Sequence, residues 1–420
     1  MRFLDLAKIA GCLLVAAVCS QAQVRTAQNA AGLAGAGEAN ELTLGLGATA
    51  TYDDNAFNSV QPSGQALFSA APKVAWNISR SHWSSLLDYN ALISRSTRYD
   101  FYSRTSQTFN TDFSYQFSKS LSFNLADSFI RSADPLYGGG QFSAPSAGIP
   151  NPSFLGTSTV RTSNFVSAEG DYRLDARSTV SLGGSYSLQR YSDTPNASFR
   201  DSNGVSGQAS YRRQFSPRFN TGVSYDASKF TTPTAGFMTF SQRLLLNEEI
   251  TLRQDMSLTL FAGPNHVNSS FPVSSNGTIG SLRTSNWTWS AGGTYSWVVS
   301  KMNMSASAIR QVSDGGGLVG ARQLTSFRYS VSGKLPHKLS GSIYVGYNLN
   351  NLINLMQAGV SGKYGSAGAS LTRNITRDLS ASLRYDRMEQ LLGIASDTPW
   401  IDRNRIAISL NYTFTHPLGR

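Results

Sequence analysis

From Leu42 onward the chain alternates between apolar and small or polar residues. Leu42, Leu44, Leu46, Ala48, Ala50 and Tyr52 are interleaved with Thr43, Gly45, Gly47, Thr49 and Thr51. A period of two puts one set on each face of an extended strand. The pattern returns at Phe109, Thr111, Phe113, Tyr115 and Phe117, at Val180, Leu182, Gly184, Tyr186 and Leu188, and at Trp287, Trp289, Ala291, Gly293, Tyr295, Trp297 and Val299. Each run is long enough to cross a bilayer as a tilted strand, which takes about 9–11 residues.

The connections are of two kinds. Short ones begin at Phe117, Leu174, Phe215, Leu252, Val299, Leu335 and Ile375, and share a form typified by Phe-Ser-Lys-Ser-Leu and Ile-Thr-Arg-Asp-Leu. They recur at about 35 to 60 residues, the length of a hairpin with its long loop. Between them lie Gly-, Pro-, Ser- and Asn-rich stretches at 133–159, 193–202, 270–282, 313–321 and 388–401. Short turns on one side and long loops on the other are the asymmetry of outer-membrane barrels, with the short side periplasmic.

The prediction is therefore an all-β, single-chain antiparallel transmembrane β-barrel of about 18 strands (16–18) over 41–414. Two stretches are irregular: 65–78, which Pro72 interrupts, and 355–373, where glycines at 359, 362, 365 and 368 leave room for a bulge. Trp76, Trp83, Phe117, Phe215, Phe219, Trp287, Trp297, Tyr412 and Phe414 lie near predicted strand ends, where a membrane girdle needs them.

The first 22 residues read as a secretory signal peptide: Arg2 and Lys8, an apolar run from Ile9 to Val18, then small residues at Ser20 and Ala22. Cleavage after Ala22 is the plainer reading, beside lipidation at Cys12 or Cys19 after Ile9-Ala10-Gly11 or Ala16-Ala17-Val18. Those two cysteines are the only ones, so the mature chain has no disulfide framework and no thiolate metal site. Residues 23–40 read as a flexible periplasmic leader, and 415–420 as a periplasmic tail. The last strand, with Ile406, Ile408, Leu410, Tyr412 and Phe414 on one face, resembles the terminal signal read by barrel-assembly machinery, although six residues follow Phe414.

Composition alone would mislead. A chain 40% apolar and 15% charged, with a mean hydropathy of -0.22, scores as soluble because barrel strands average lipid-facing and lumen-facing residues. The formal charge of +11 becomes +10 once Arg2, Asp5 and Lys8 are removed. No aromatic-basic module for nucleic acid accompanies it.

Leu44 to Asn55, Leu-Gly-Leu-Gly-Ala-Thr-Ala-Thr-Tyr-Asp-Asp-Asn, resembles the opening of β-barrel porins grouped as type 2, some of them beside exopolysaccharide genes, and the aromatic-Ser-x-x-Leu turns are similar to theirs. The resemblance implies a barrel and a role in surface-polymer export, and carries no catalytic residue.

With the apolar phase toward lipid, the lumen receives Lys73, Asp88, Asp112, Glu169, Asp171, Arg173, Arg212, Arg243, Glu249, Arg328, Lys363, Arg384 and Arg405. Asn77, Asn110, Gln116, Gln208, Asn220 and Asn247 join them. Such a lumen is hydrated, and its arginines favour anionic or hydroxylated solutes. Mutual ion pairs sealing a narrow barrel are the alternative. Glu248 breaks the scheme, sharing a phase with Leu244, Leu246 and Ile250, so that either a bulge or a partner is required.

The Asp53-Asp54-Asn55 cluster lacks the spaced oxygen set of a calcium site and reads as an Asx-rich turn. Of the four histidines only His266 falls on the loop side; Ser269 and Ser270 are near it, but no orienting carboxylate is. No enzyme, cofactor or metal is predicted. The expected partners are outer-membrane lipid, the assembly machinery, and either small solutes or a polysaccharide. The leading function is a passive or semi-selective porin in the outer membrane, and the alternative is an accessory barrel for exopolysaccharide export.

Overall fold

The computed structural model describes residues 39–56, 60–98, 104–132, 160–192, 200–275, 278–313, 322–353, 361–393 and 400–418. The signal peptide, most of the leader and the 133–159 and 313–321 loops lie wholly or almost wholly outside them.

Eighteen strands follow one another: β1 (Ala39–Asp53), β2 (Gln65–Ser79), β3 (Trp83–Ser96), β4 (Arg104–Gln116), β5 (Leu121–Ser132) and β6 (Val160–Arg173). Next come β7 (Ser178–Ser192), β8 (Ser202–Ser216), β9 (Phe219–Thr232), β10 (Phe237–Arg253), β11 (Met256–Ser275) and β12 (Thr278–Val299). The last are β13 (Met302–Ser313), β14 (Arg322–Leu335), β15 (Leu339–Leu352), β16 (Ser361–Asn374), β17 (Leu379–Gly393) and β18 (Ile401–Pro417). Each pairs antiparallel with its sequence neighbours, and β1 pairs with β18, closing an 18-stranded barrel as expected. Closure leaves no free edge, which is the condition for strands to span lipid.

Two faces follow from the registers. Leu46, Phe68, Leu182, Leu246, Ile343 and Ile408 share the face that carries the exposed large apolar side chains, which is the outer one. The other face is concave: Arg243 on β10 donates Nη1 to Gln311 Oε1 on β13 at 3.4 Å, past two intervening strands. Inner-face hydroxyls and amides form cross-strand pairs such as Thr49–Ser409, Ser69–Ser94, Ser128–Asn110, Ser185–Ser206 and Ser342–Ser370, at 2.6–2.9 Å. Each such pair is worth a few tenths to about 1 kcal/mol. All nine aromatics assigned to the girdle lie on the outer face or in a short turn.

The shared turn sequence has a shared chemistry. Ser118 Oγ accepts from the Ser120 and Leu121 amides at 3.2 and 3.1 Å. Thr376 Oγ1 accepts from Asp378 and Leu379 at 3.3 and 3.0 Å. Ser216 Oγ accepts from Arg218 at 3.3 Å, and Asp175 Oδ1 from Arg177 at 2.6 Å. The residue after the first apolar one thus satisfies amides that the ladder leaves open. In Asp175 that N–H, followed by the Ser178 hydroxyl, holds the carboxyl below its ordinary value. Thr376→Ala is expected to lower stability by about 0.5–1.5 kcal/mol, measured by urea unfolding in lipid vesicles, whereas Thr376→Ser should be nearly neutral.

Several boundaries differ from expectation. Ala39 and Asn40 already belong to β1, where Asn40 Oδ1 accepts from Trp76 Nε1 at 2.8 Å. β18 runs on to Pro417 opposite Glu41, so the tail is shorter than predicted. The stretch 270–282 is mostly strand, because β11 and β12 pair from Met256↔Trp297 to Ser275↔Thr278. Pro72 stays within β2, where the pairing with β3 skips Ala71 and Pro72. From Gly362 to Arg373 the register against β15 has no bulge.

Candidate functional site

Register puts Lys73, Asp88, Asp112, Glu169, Asp171, Arg173, Arg212, Arg243, Glu249, Arg328, Arg384 and Arg405 on the inner face. Lys363 is the correction. It pairs with Leu349 and Leu391, lies on the outer face and is exposed. Tyr364 holds the opposite phase. It is turned inward and buried, while Ala367, Ala369 and Leu371 face out.

The inner charges fall on two walls. Carboxylates dominate from β3 to β6, where Asp88 pairs with Lys73 at 2.8 Å. Asp171 there accepts from Ser181 at 2.6 Å and from Asn124 at 3.3 Å. Guanidiniums dominate from β14 to β18. Asp386 lies among them: Arg384 Nε donates to both its oxygens at 2.9 and 2.8 Å, Tyr344 donates its hydroxyl at 2.7 Å, and Arg405 Nε is within ion-pair distance at 3.9 Å. Between the walls Arg243 pairs with Asp226 at 3.2 Å, and Glu249 accepts from Asn220 at 3.2 Å. Some arginines are thus neutralised, but Arg212 and Arg328 have no carboxylate within ion-pair distance among the described residues. Asp386→Asn removes a negative charge from beside Arg384 and Arg405, and is expected to raise anion over cation permeability, read from the reversal potential under a salt gradient.

The Tyr52–Asn55 turn has a role that its sequence did not reveal. Asp53, fully buried, accepts from Arg403 Nε with both oxygens at 3.0 Å. Asp54 takes the Asn404 backbone and side-chain amides, both at 2.6 Å, and Asn55 Nδ2 donates to the Asp402 carbonyl at 2.8 Å. Three consecutive residues after the body of β1 clamp three at the start of β18. The carboxylate oxygens that suggested a cation are occupied by these donors.

The remaining singled-out residues also have definite places. Glu248 faces outward without a bulge, since the β9–β10 register is unbroken and Thr221 Oγ1 donates to its Oε2 at 2.8 Å. Asp127, which the phase argument passed over, also faces outward and accepts from Asn164 Nδ2 at 2.7 Å. His266 is on the outer face, its ring tilted against that of Trp287 at 4.7 Å between centroids, with Nε2 2.8 Å from Ser285 Oγ. Ser269 points to the opposite face.

No family model and no curated protein matches the chain. Solved structures do resemble it: Pseudomonas aeruginosa OpdK with vanillate is 11% identical, with a TM-score of 0.43 over 90% of this chain and 99% of that one. Acinetobacter baumannii OccAB4 is 9% identical, with a TM-score of 0.45 over 90% and 98%. Pseudomonas aeruginosa OccK2 (OpdF) in complex with glucuronate is 13% identical, with a TM-score of 0.42 over 91% and 98%. The assignment of a barrel rests on this chain's own ladder.

Proposed function

We propose that the protein is a non-enzymatic pore of the outer membrane that passes small hydrophilic solutes and favours anionic ones. The observation that carries this reading is the inner face, which presents hydroxyls, amides and charges of both signs through most of its area. Burying such a surface dry would leave ions such as Arg328 without compensation, at several kcal/mol each. Water filling the lumen removes that cost. Barrels of 16 to 18 strands have room for it.

The preference for anions is supported by the β14–β18 wall and by Arg328, which has no carboxylate within ion-pair distance among the described residues. Proteoliposomes should swell in isotonic solutions of small carboxylates faster than in uncharged sugars of similar size. Failure to swell in either, from protein that still shows the heat-modifiable mobility of a folded barrel, would overturn the pore reading.

A further inference from the structure

One part of the outer face is hollow. Near the short-turn ends of β13 to β17, apolar side chains line a groove of about 360 Å³. Gly341 and Ala369 form its floor, and Leu335, Ile343, Leu371 and Leu383 stand around them. The register accounts for the hollow: Ile343 pairs with Ala369 and Leu371 with Gly341, so each rung sets a small residue beside a large one. Gly341 also pairs with Gly333 on β14, which leaves two glycines side by side. The four large residues are all exposed on the outer face.

Cations gather at the foot of this groove. Arg373 lies two residues beyond Leu371 on the same outer face, and pairs with Leu339. Lys338 precedes Leu339, and its carbonyl accepts from the Asn374 amide at 3.3 Å. Lys301 precedes Met302, which also lines the groove, and its carbonyl accepts from the Lys334 amide at 3.1 Å. All three cations are exposed, and none has a carboxylate within ion-pair distance among the described residues. Lys338 holds a φ of 60°, in the left-handed region that glycine or asparagine ordinarily fills. Turn geometry therefore does not account for a lysine there.

The turns carrying Lys301 and Lys338 are short ones, on the periplasmic side. Their cations thus stand at the headgroup level of the inner leaflet, directly beneath an apolar trough. That arrangement complements a lipid with its chain in the trough and its phosphate on the cations. It does not suit a second copy docked about a twofold axis, because the same patch would meet itself, cation against cation.

We propose that this groove binds an anionic glycerophospholipid of the periplasmic leaflet. One acyl chain lies against Gly341 and Ala369, and Lys301, Lys338 and Arg373 hold the phosphate. This goes beyond the pore reading and requires only that the barrel sit in a membrane.

The test is native mass spectrometry of the folded protein in detergent micelles, supplied with equal amounts of phosphatidylglycerol and phosphatidylcholine of the same chains. One phosphatidylglycerol retained per barrel, in preference to phosphatidylcholine, is expected. Lys338→Gln with Arg373→Gln should lower that retention about 30-fold, the effect of losing two cations at the headgroup level. Ala369→Leu fills the trough and should lower it as well, although the charges remain. Arg213→Gln with Arg218→Gln removes two cations at the β8–β9 end of the barrel, away from the groove, and should leave retention near that of the parent. Heat-modifiable mobility reports that each variant is folded. Equal retention of the two lipids, retention unchanged by Ala369→Leu, or an equal loss from the Arg213 and Arg218 pair would overturn the proposal. So would a dimer that Ala369→Leu abolishes, which would assign the groove to a second copy.

Discussion

Alanine at Arg403 is expected to destabilise the folded barrel by about 3–5 kcal/mol, the cost of leaving a buried charge without its partner. Asp53 is fully buried and Arg403 is 6% exposed, so water does little to compensate either one. The carboxylate meets the guanidinium through both oxygens, and Asp53 Oδ1 also accepts from the Asn55 amide at 3.2 Å. The pair joins the first strand to the last, a contact between residues 350 apart in sequence. Its loss should therefore act on closure of the barrel. Urea unfolding in vesicles would read the effect. Asp53→Leu combined with Arg403→Met should recover much of it, since apolar replacement of both partners removes the stranded charge. If Arg403→Ala stayed within about 1 kcal/mol of the parent, the range for a solvent-exposed pair, the seam would not hold the barrel shut.

The second large effect is electrical. Arg328 faces the lumen between Ser307 and Gly346, without a carboxylate partner among the described residues. At about 10 Å in water a unit charge contributes ~0.4 kcal/mol to a passing ion. Arg328→Glu reverses the sign, so the change is ~0.8 kcal/mol for each ion and opposite for anion and cation, about fourfold in each permeability and about 15-fold in their ratio. Constriction lowers the local dielectric and enlarges the effect. Reversal potentials under a salt gradient measure it directly. A shift toward anions, or none, would place Arg328 off the conducting path.

What the sequence revealed, and what it concealed, follows from how local each signal is. Alternation is local: two or three large residues fix the phase of a strand, as Leu182 and Tyr186 do for β7. The turns are local too, since Ser118 and Thr376 act on amides only two and three residues away. Strand number and the side of the turns were therefore legible. The phase failed at Lys363, where small residues surround one aromatic and Tyr364 is drawn inward by its surroundings rather than outward by its hydrophobicity.

Long-range pairing left no comparable trace. Nothing near Asp53 in sequence announces Arg403. The 270–282 stretch looked like a loop because serine, proline and glycine dominate it, yet hairpin pairing with its own partner strand keeps it extended. Glu248 and Asp127 are polar side chains on the outer face whose partners, Thr221 and Asn164, sit on adjacent strands and become visible only with the register. A period of two reports the face of a residue; which residue stands beside it depends on the ladder.

The central claim is that an 18-stranded barrel encloses a water-filled, cation-rich path. Single-channel recording of the refolded protein in a planar bilayer under a salt gradient tests it most directly. Discrete conductance steps with a reversal potential favouring anions are predicted. Silence from a demonstrably folded barrel, or steps favouring cations, would contradict the account.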